Sequence, residues 1–432
     1  MNTNLVITGG RLVDGTTDKH LDIGIADGRI VELAQPGELA LQGEVIDADG
    51  AYVMPGLVDI QVHFRTPGGE ESEDIQSGAQ GAALGGVTAC VMMPNTVPTI
   101  DNVAIVEDVR ALSLGAPCDV HSSAAITVNR EGERLVNFKE LYGVGVRVFT
   151  DDGWVVDSEA LMRQAFLDIR DLPDAVLSQH AEESQMVEGG LINEGVVSRR
   201  LGLKGRPREA EALIVKRDID LARETNGRYH VLHMSTLMAL EHVIAAKLEG
   251  LRVTAEVTPQ HLVLTEDDVE RLGTSGKMNP PLRLLEDVEA LRAGLICGDV
   301  DAVATDHAPH HPELKGTSLV TAAPGMLGVE TMASVIWSEF VETGLMSPTD
   351  FVKRLSSNPA KIAGIKDHGN QIKVGSIANL AVFDPTQSWT VRGADLVSKS
   401  INTPWEGRSF AGRIRHTVLA GRPVVIDSSL VS

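Results

Sequence analysis

The chain has 432 residues, of which 43% are hydrophobic, and it carries a formal net charge of −22. A chain of this length and composition buries a large core, so we expect a globular protein with more than one domain. The acidic balance argues against nucleic acid or an anionic membrane surface as a main partner, and an anionic substrate would need a local positive group to hold it.

Three features predict a cytoplasmic protein. The N-terminus lacks the basic region and following apolar stretch of a signal peptide. No stretch approaches 18 continuous apolar residues, so we expect no membrane span. Cys90, Cys118 and Cys297 are odd in number and lack a CxxC spacing, which predicts reduced core residues.

Both ends of the chain have the pattern of a small β structure. Asp27-Gly28 separates two short apolar runs, as in a hairpin, and the C-terminal part contains similar runs such as Ala381–Asp384. We predict that residues 1–54 and 368–432 together form one β-sandwich domain. This domain would close over a central domain of residues 55–367.

The central segment alternates short apolar strands with helical patterns. The predicted strands are Leu57–Ile60, Val87–Met93, Cys118–Ser123, Val146–Thr150, Ala175–Gln179, Tyr229–Leu232, Val253–Val257 and Ala302–Thr305. Two of the predicted helices each have an apolar face, the first through Ala212, Val215, Ile219 and Ala222 and the second through Leu237, Leu240, Ile244 and Leu248. Eight strands alternating with helices predict an α/β fold, the parallel (β/α)8 barrel.

The catalytic groups of such a barrel lie at the C-terminal ends of its strands. The first predicted strand ends in Gln61, His63 and Arg65, whose alternate positions put them on one face. The ends of the other strands carry Asn95, Asp152, His180, His233 and Asp306.

Neutral imidazoles and carboxylates at these ends suit zinc or a similar divalent ion. The candidate ligands are His63, His180, His233, Asp306 and either Asp151 or Asp152. A lone histidine at a strand end is more often structural, with about one chance in five of being a ligand, but four or five such residues in one barrel are much harder to explain that way. His121, His230, His242 and His261 lie outside the pattern and are interpreted as structural or surface residues.

A metal in this position would lower the pKa of bound water toward 7 and polarise a carbonyl. Asp306 is the best candidate to move the proton from that water to the leaving group. Nucleophilic catalysis is poorly supported, since the sequence has no GxSxG motif and no cysteine at a strand end beside a histidine.

Arg65 follows His63 by two residues and should face the same mouth of the barrel. A guanidinium there suits a carboxylate through a bidentate contact, although a surface salt bridge explains a lone arginine as well. Asn95 and Asn279 offer neutral hydrogen bonds.

Ten short motifs spread over nearly the whole chain resemble those of one family. They are Pro55–Asp59, His63–Arg65, Met93–Thr96, Phe149–Gly153, His180–Glu183, His233–Thr236, Asn279–Arg283, Ala304–His310, Asn358–Ala360 and Gly375–Leu380. The sequence resembles the amidohydrolase superfamily and, within it, the dihydroorotases of the single-polypeptide bacterial type. The run around Asp306 and the His-Phe-Arg are highly specific, whereas the last two motifs are shared across much of the superfamily.

The resemblance implies a metal-dependent barrel that reversibly interconverts N-carbamoyl-L-aspartate and (S)-dihydroorotate in pyrimidine biosynthesis. It implies one or two Zn²⁺ ions, one held by His63 and Asp306 and the other by His180 and His233. An aspartate of the Asp-Asp-Gly would bridge them, and Asp152 is favoured over Asp151.

The resemblance also assigns residues to the substrate. Arg65, Asn95 and His310 would grip its carboxylate, with His63 beside them, while Asn279, Pro324 and Gly325 would contact its backbone. It further implies a homo-oligomer, expected to be a dimer.

Two related activities stay open as alternatives. Hydantoinases and allantoinases usually carry a carboxylated lysine as the bridge and lack the arginine after His-x. This chain has no lysine near residues 146–153 and has Arg65, so a hydantoinase- or allantoinase-type activity is the weaker alternative. The other alternative is a non-catalytic subunit that scaffolds aspartate transcarbamoylase.

Gln61 is the departure from the family pattern, which has a histidine there. A glutamine amide oxygen is a weak, neutral ligand that cannot replace an imidazole for zinc. Three interpretations follow: an active enzyme that works mainly through the metal at His180 and His233, the non-catalytic scaffold, or a substitution that leaves little activity. Activity is favoured, because five of six ligands are kept together with Arg65 and the other carboxylate-binding residues.

Overall fold

All eight predicted barrel strands form in the computed structural model, which describes residues 3–41 and 43–431. They are Leu57–Val62, Val87–Met92, Asp119–Ser122, Val148–Phe149, Val176–Gln179, Tyr229–Val231, Val253–Val257 and Ala302–Val303. Most are buried along their whole length, as expected for parallel strands covered on both faces.

The strands pair in parallel as an arc of three followed by an arc of five. Two isolated parallel bridges join the arcs, Ala124 with Phe149 at one seam and Val62 with His307 at the other. The Asp59 carboxylate strengthens the second seam, because it accepts hydrogen bonds from the Thr305 backbone N–H at 3.1 Å and hydroxyl at 2.5 Å. The predicted closed barrel is therefore confirmed.

Helices surround these strands. The α-helices are Ile75–Leu84, Val103–Leu112, Phe138–Gly143, Glu159–Ile169, Ser184–Val187, Val196–Leu201, Glu209–Thr225, Leu237–Leu248, Pro259–Val263, Asp268–Leu272, Leu285–Cys297, Pro312–Lys315, Met332–Ile336, Pro348–Val352 and Asn358–Ile362. Short 3₁₀ turns span Val128–Arg130, Gly273–Gly276 and Gly393–Asp395, and π-helical turns span Trp337–Val341 and Lys353–Ser357. In the described ranges, none of the helices has both the length and the apolar character that crossing a membrane requires.

The predicted apolar face is confirmed in one of the two helices and partly wrong in the other. Helix Glu209–Thr225 buries all four predicted residues. Helix Leu237–Leu248 is capped by Thr236, whose side chain accepts from the Ala239 N–H. Its predicted face is wrong at the last turn, where Leu248 is 84% exposed. The buried face runs instead through Ala239, Leu240, Val243 and Ala246, because the helix is flanked by two neighbouring helices and small side chains face the contact.

Both chain ends contribute to the β structure, as predicted. A seven-stranded sheet joins them, since Tyr52–Pro55 pairs antiparallel with Leu380–Thr390. The Asp27-Gly28 hairpin also forms, with both residues at positive φ as a type I′ turn requires. The domain limits at residues 54/55 and 367/368 stay a prediction.

The strands of this β structure form two sheets. The seven-stranded sheet contains Arg11–Val13, Asp18–His20, Tyr52–Pro55, Leu380–Thr390, Ser409–Leu419, Arg422–Ile426 and Ser429–Leu430. The four-stranded sheet contains Leu5–Thr8, Asp22–Ala26, Arg29–Ala34 and Glu44–Asp47. A separate two-stranded ribbon, Ile192–Asn193 with Gly205–Arg206, lies within the barrel segment of the chain.

The cysteines are free, and the core prediction is wrong for one of them. Cys90 lies on one barrel strand and Cys118 directly precedes the next; both are buried, with sulfur atoms 3.9 Å apart. Cys297 is exposed and is the last residue of helix Leu285–Cys297.

Candidate metal centre

Five residues predicted as metal ligands meet at the C-terminal mouth of the barrel. His63, Asp152, His180, His233 and Asp306 are each no more than 5% exposed. One ligand atom from each of Asp152, His180 and His233 lies within 4.8 Å of the other two. Strand ends far apart in the sequence therefore build one buried cluster.

His63 faces two carboxylates. Its Nε2 lies 2.9 Å from Asp306 Oδ1 and 3.3 Å from Asp152 Oδ2. Its Nδ1 lies 2.8 Å from the side-chain oxygen of Asn95, which only accepts, so the hydrogen belongs on Nδ1. The Nε2 lone pair is then free to face the cluster.

His180 and His233 face each other on the other side of Asp152. His180 Nδ1 is 3.0 Å from His233 Nε2, and Asp152 Oδ1 is 4.0 Å from the first nitrogen and 3.4 Å from the second. Burial lowers the pKa of His233, but the hydrogen bond to Asp152 and the nearby carboxylates outweigh this and raise it to about 9. The histidines in turn hold the pKa of Asp152 well below its usual range against the effect of burial.

This donor set fits a divalent cation. A tetrahedral ion with ligands at 2.0–2.1 Å separates the ligand atoms by roughly 3.3 Å, and the separations within the cluster run from 2.9 to 4.0 Å. His233 contributes its Nε2, which faces His180 Nδ1 and Asp152 Oδ1. Imidazole nitrogens that converge on carboxylate oxygens are the donors that zinc and similar ions prefer.

The structure distinguishes the two aspartates of the Asp-Asp-Gly. Asp151 turns away from the histidines and accepts hydrogen bonds from the Ile126 N–H at 2.7 Å, the Thr127 N–H at 3.0 Å and the Thr127 hydroxyl. Burial raises the pKa of Asp151. Asp152 alone of the pair contacts the histidines.

Gln61 lies in the same cluster and is fully buried. Its Nε2 is 3.5 Å from Asp152 Oδ1, a long contact, and its Oε1 has no hydrogen-bond partner among the described residues. Most buried side-chain polar atoms have a hydrogen-bond partner, so the Gln61 oxygen differs in this respect from the other groups of the cluster.

Arg65 and His310, predicted to bind a carboxylate, lie side by side. Arg65 Nε donates to the Pro309 carbonyl at 3.2 Å. His310 Nε2 lies 2.8 Å from the Pro324 carbonyl, so it carries the hydrogen, and its 3.4 Å approach to Arg65 is a packing contact. Burial lowers the pKa of Arg65 to about 10, while burial and the Arg65 charge lower the pKa of His310 to about 3. At neutral pH the first is charged and the second is neutral.

Gly325 must be glycine where it stands. Its φ is +147°, and a Cβ there would lie 2.7 Å from the Ala308 Cβ and 2.9 Å from His310 Nε2. Its N–H donates to the Lys277 carbonyl at 2.9 Å, which holds the Pro324–Gly325 segment beside Arg65 and His310.

A cavity of about 470 Å³ opens beside the cluster. Its lining includes Trp154, His180, Glu182, Arg206 and Asn279. The predicted residue Asn279 therefore borders this cavity, where its Oδ1 accepts a hydrogen bond from Arg206.

The sequence did not single out Glu182, Arg206 or Arg283. Glu182 is 2% exposed and accepts from His180 and from both arginines. Its bonds to His180 and the arginines lower its pKa in spite of burial. Its position two residues after His180 was an available signal, whereas nothing local marks Arg206.

Three of the predicted site residues have unfavourable backbone conformations. Arg65, His233 and Asp306 have φ of +57°, +29° and +46°. Side chains rarely occupy this left-handed region, and such residues cluster at functional sites.

The four histidines interpreted as structural or surface residues lie outside the cluster, as predicted. They are His121, His230, His242 and His261. Of these, His230 and His261 are buried with partners of their own.

Known sequences similar to this chain point to one family. Residues 50–238 match the family model described as Dihydro-orotase-like. The chain is 42% identical over 424 residues to the dihydroorotase of Pelobacter propionicus, covering 98% of this chain and 99% of the relative. It is 41% identical over 428 residues to the dihydroorotase of Streptomyces coelicolor, covering 98% and 99%.

Solved structures with the same fold include two hydantoinases. The L-hydantoinase from Arthrobacter aurescens superposes with a TM-score of 0.90 at 24% identity, covering 100% of this chain and 98% of that one. The D-hydantoinase from Thermus sp. gives a TM-score of 0.86 at 24% identity, covering 99% and 96%. At this identity the likeness describes the fold alone.

Proposed function

The chain belongs to the dihydroorotase family, and we propose that it is a metal-dependent cyclic amidohydrolase that interconverts N-carbamoyl-L-aspartate and (S)-dihydroorotate in pyrimidine biosynthesis. The observation that carries this proposal is the convergence of three histidines and two aspartates beside a half-buried arginine at the barrel mouth. The relatives supply the reaction class, and the arginine supplies the selectivity for an anionic ring.

The proposed cofactor is zinc. One ion would be held strongly by Asp152, His180 and His233, whose donor atoms already lie together. A second, weaker position would lie at His63 and Asp306, because Gln61 offers only a neutral amide there. When bound, the ion would polarise the scissile carbonyl and lower the pKa of water.

The side chains would then orient the substrate and move the proton. Asp306 would take a proton from the attacking water as the water oxygen adds to the ring carbonyl carbon, and would give it to the ring nitrogen as the C–N bond breaks. Arg65 would pair with the substrate carboxylate. The Asn95 oxygen accepts from His63, which leaves its amide N–H groups to donate to that carboxylate.

Arg65 is also the basis for choosing among cyclic amides. Uncharged hydantoin and dihydropyrimidine rings have no group that matches a half-buried guanidinium, whereas dihydroorotate has a carboxylate. In a chain with net charge −22, an anionic substrate needs such a local positive group.

A side-by-side assay tests the proposal. The zinc-loaded protein is offered dihydroorotate, dihydrouracil and hydantoin, and we expect turnover of dihydroorotate only. Hydrolysis of the uncharged rings without turnover of dihydroorotate would support the hydantoinase alternative instead.

The scaffold alternative has its own measurement. It predicts a stable complex with aspartate transcarbamoylase that forms equally well with Asp306→Ala, together with no turnover by the isolated chain. Turnover by the isolated wild type contradicts it. Association with that partner and the dimeric state stay predictions.

A further inference from the structure

The buried carboxylate of Glu182 links the metal centre to the far side of the cavity. Its Oε2 lies 3.0 Å from His180 Nε2 and accepts from Arg206 Nη1 at 2.6 Å, and its Oε1 accepts from Arg283 Nη2 at 3.3 Å. The side chain is 1% exposed. A carboxylate with two guanidinium partners is an acceptor, so the histidine must donate to it.

This contact determines which nitrogen of His180 faces the centre. With the hydrogen on Nε2, the Nδ1 lone pair faces His233 Nε2 and Asp152. Carboxylates that accept from the outer nitrogen of a ligating histidine set its tautomer and ring orientation in metal sites.

Arg206 extends the contact toward Asn279. It lies on the two-stranded ribbon, where its Nε donates to the Gly190 carbonyl at 2.9 Å. Its Nη1 is shared between Glu182 and the Asn279 side-chain oxygen. With its oxygen engaged in this way, Asn279 keeps its amide N–H groups for the cavity.

We propose that Glu182 is a positioning residue that holds His180 with Nδ1 toward the metal centre, and that Arg206 couples this carboxylate to Asn279 on the substrate side of the cavity. The proposal rests on the proposed metal-dependent function. It assigns the orientation of one ligand and of one substrate-contacting amide to a single buried ion-pair network.

The test compares Glu182→Gln and Glu182→Met with wild type. Glutamine keeps a neutral acceptor for His180, whereas methionine keeps the length and removes the acceptor. We expect zinc affinity, measured by chelator competition, to fall about 10-fold in the first variant and about 100-fold in the second. In the metal-free protein with labelled histidine, NMR should find the Nε2–H tautomer of His180 in wild type and a mixture in Glu182→Met.

Asp287→Asn is the matched control. Asp287 is also fully buried and paired with an arginine, since it accepts from Arg208 at 2.5 Å, but it contacts none of the proposed ligands. Replacing the Asp287 carboxylate should lower the midpoint of thermal unfolding without changing zinc affinity or the tautomer of His180. If the role of Glu182 is purely structural, Glu182→Met should also lower only the thermal midpoint and leave zinc affinity and the His180 tautomer unchanged. That result would overturn the proposal.

Arg206→Met tests the coupling to Asn279. Losing one hydrogen bond to that amide should raise KM for dihydroorotate about 3- to 10-fold, with a smaller change in kcat. An unchanged KM would overturn this part.

The two proposals fail in different ways. If wild type binds no divalent ion, the metal-dependent function fails and the role of Glu182 fails with it. If wild type binds zinc and Glu182→Met binds it equally well, only the role of Glu182 fails.

Discussion

Replacing Gln61 with histidine should create a second strong ion position. In wild type the amide Oε1 is fully buried and has no partner among the described residues, and Nε2 reaches Asp152 only at 3.5 Å. An imidazole there adds a nitrogen ligand beside His63 and Asp306.

The size of the effect follows from one comparison. Even outer partners of metal ligands typically change affinity 10- to 100-fold. A direct ligand should therefore tighten the second ion by at least about 10-fold.

The assay is metal content per chain at a series of buffered free zinc concentrations, together with dihydroorotate turnover. We expect one tight ion in wild type and two in Gln61→His. Gln61→Leu is the control, since it removes the unpaired amide without adding a ligand and should keep one ion. Equal stoichiometry and affinity in all three proteins would refute the reasoning about Gln61.

Three further outcomes are expected. Arg65→Gln should raise KM for dihydroorotate roughly 10- to 150-fold, from the loss of a charged hydrogen bond of about 1.5–3 kcal/mol, and a change confined to kcat would contradict the carboxylate role. Asp306→Asn should lower kcat by about 10²- to 10⁴-fold while circular dichroism stays unchanged, and near-normal turnover would exclude the proton shuttle. Because the pKa of His233 is raised to about 9 in the metal-free protein, zinc must displace a proton below that pH. Chelator competition should show affinity rising about tenfold per unit from pH 7 toward pH 9, and a flat profile would contradict it.

The barrel and the position of the cluster could be predicted because both depend on short-range patterns. Each strand is a short apolar run, and the closed parallel topology brings its polar C-terminal residue to a common mouth. His180 and His233 are 53 positions apart in the chain, yet each could be assigned from its own strand alone.

The network around the cluster could not be predicted in this way. Glu182 binds Arg206 and Arg283, which come from a ribbon and a loop whose placement depends on tertiary packing. The error at Leu248 has the same origin, because contacts with neighbouring helices, more than the spacing of leucines, decided which face was buried. The prediction that Cys297 is a core residue was wrong, because residue type alone does not show which side of a helix faces the core.

At Arg65, His233 and Asp306 the backbone is left-handed, so the side chains that the chemistry needs lie in a conformation that is unfavourable for folding. A side chain in that region costs about 1–2 kcal/mol relative to glycine, so the fold bears a conformational cost at each of the three positions. The chain keeps three such residues together where the substrate would lie. Laboratory evolution toward heat resistance alone, without selection for turnover, should therefore relax the backbone at these positions and yield a more stable, inactive barrel.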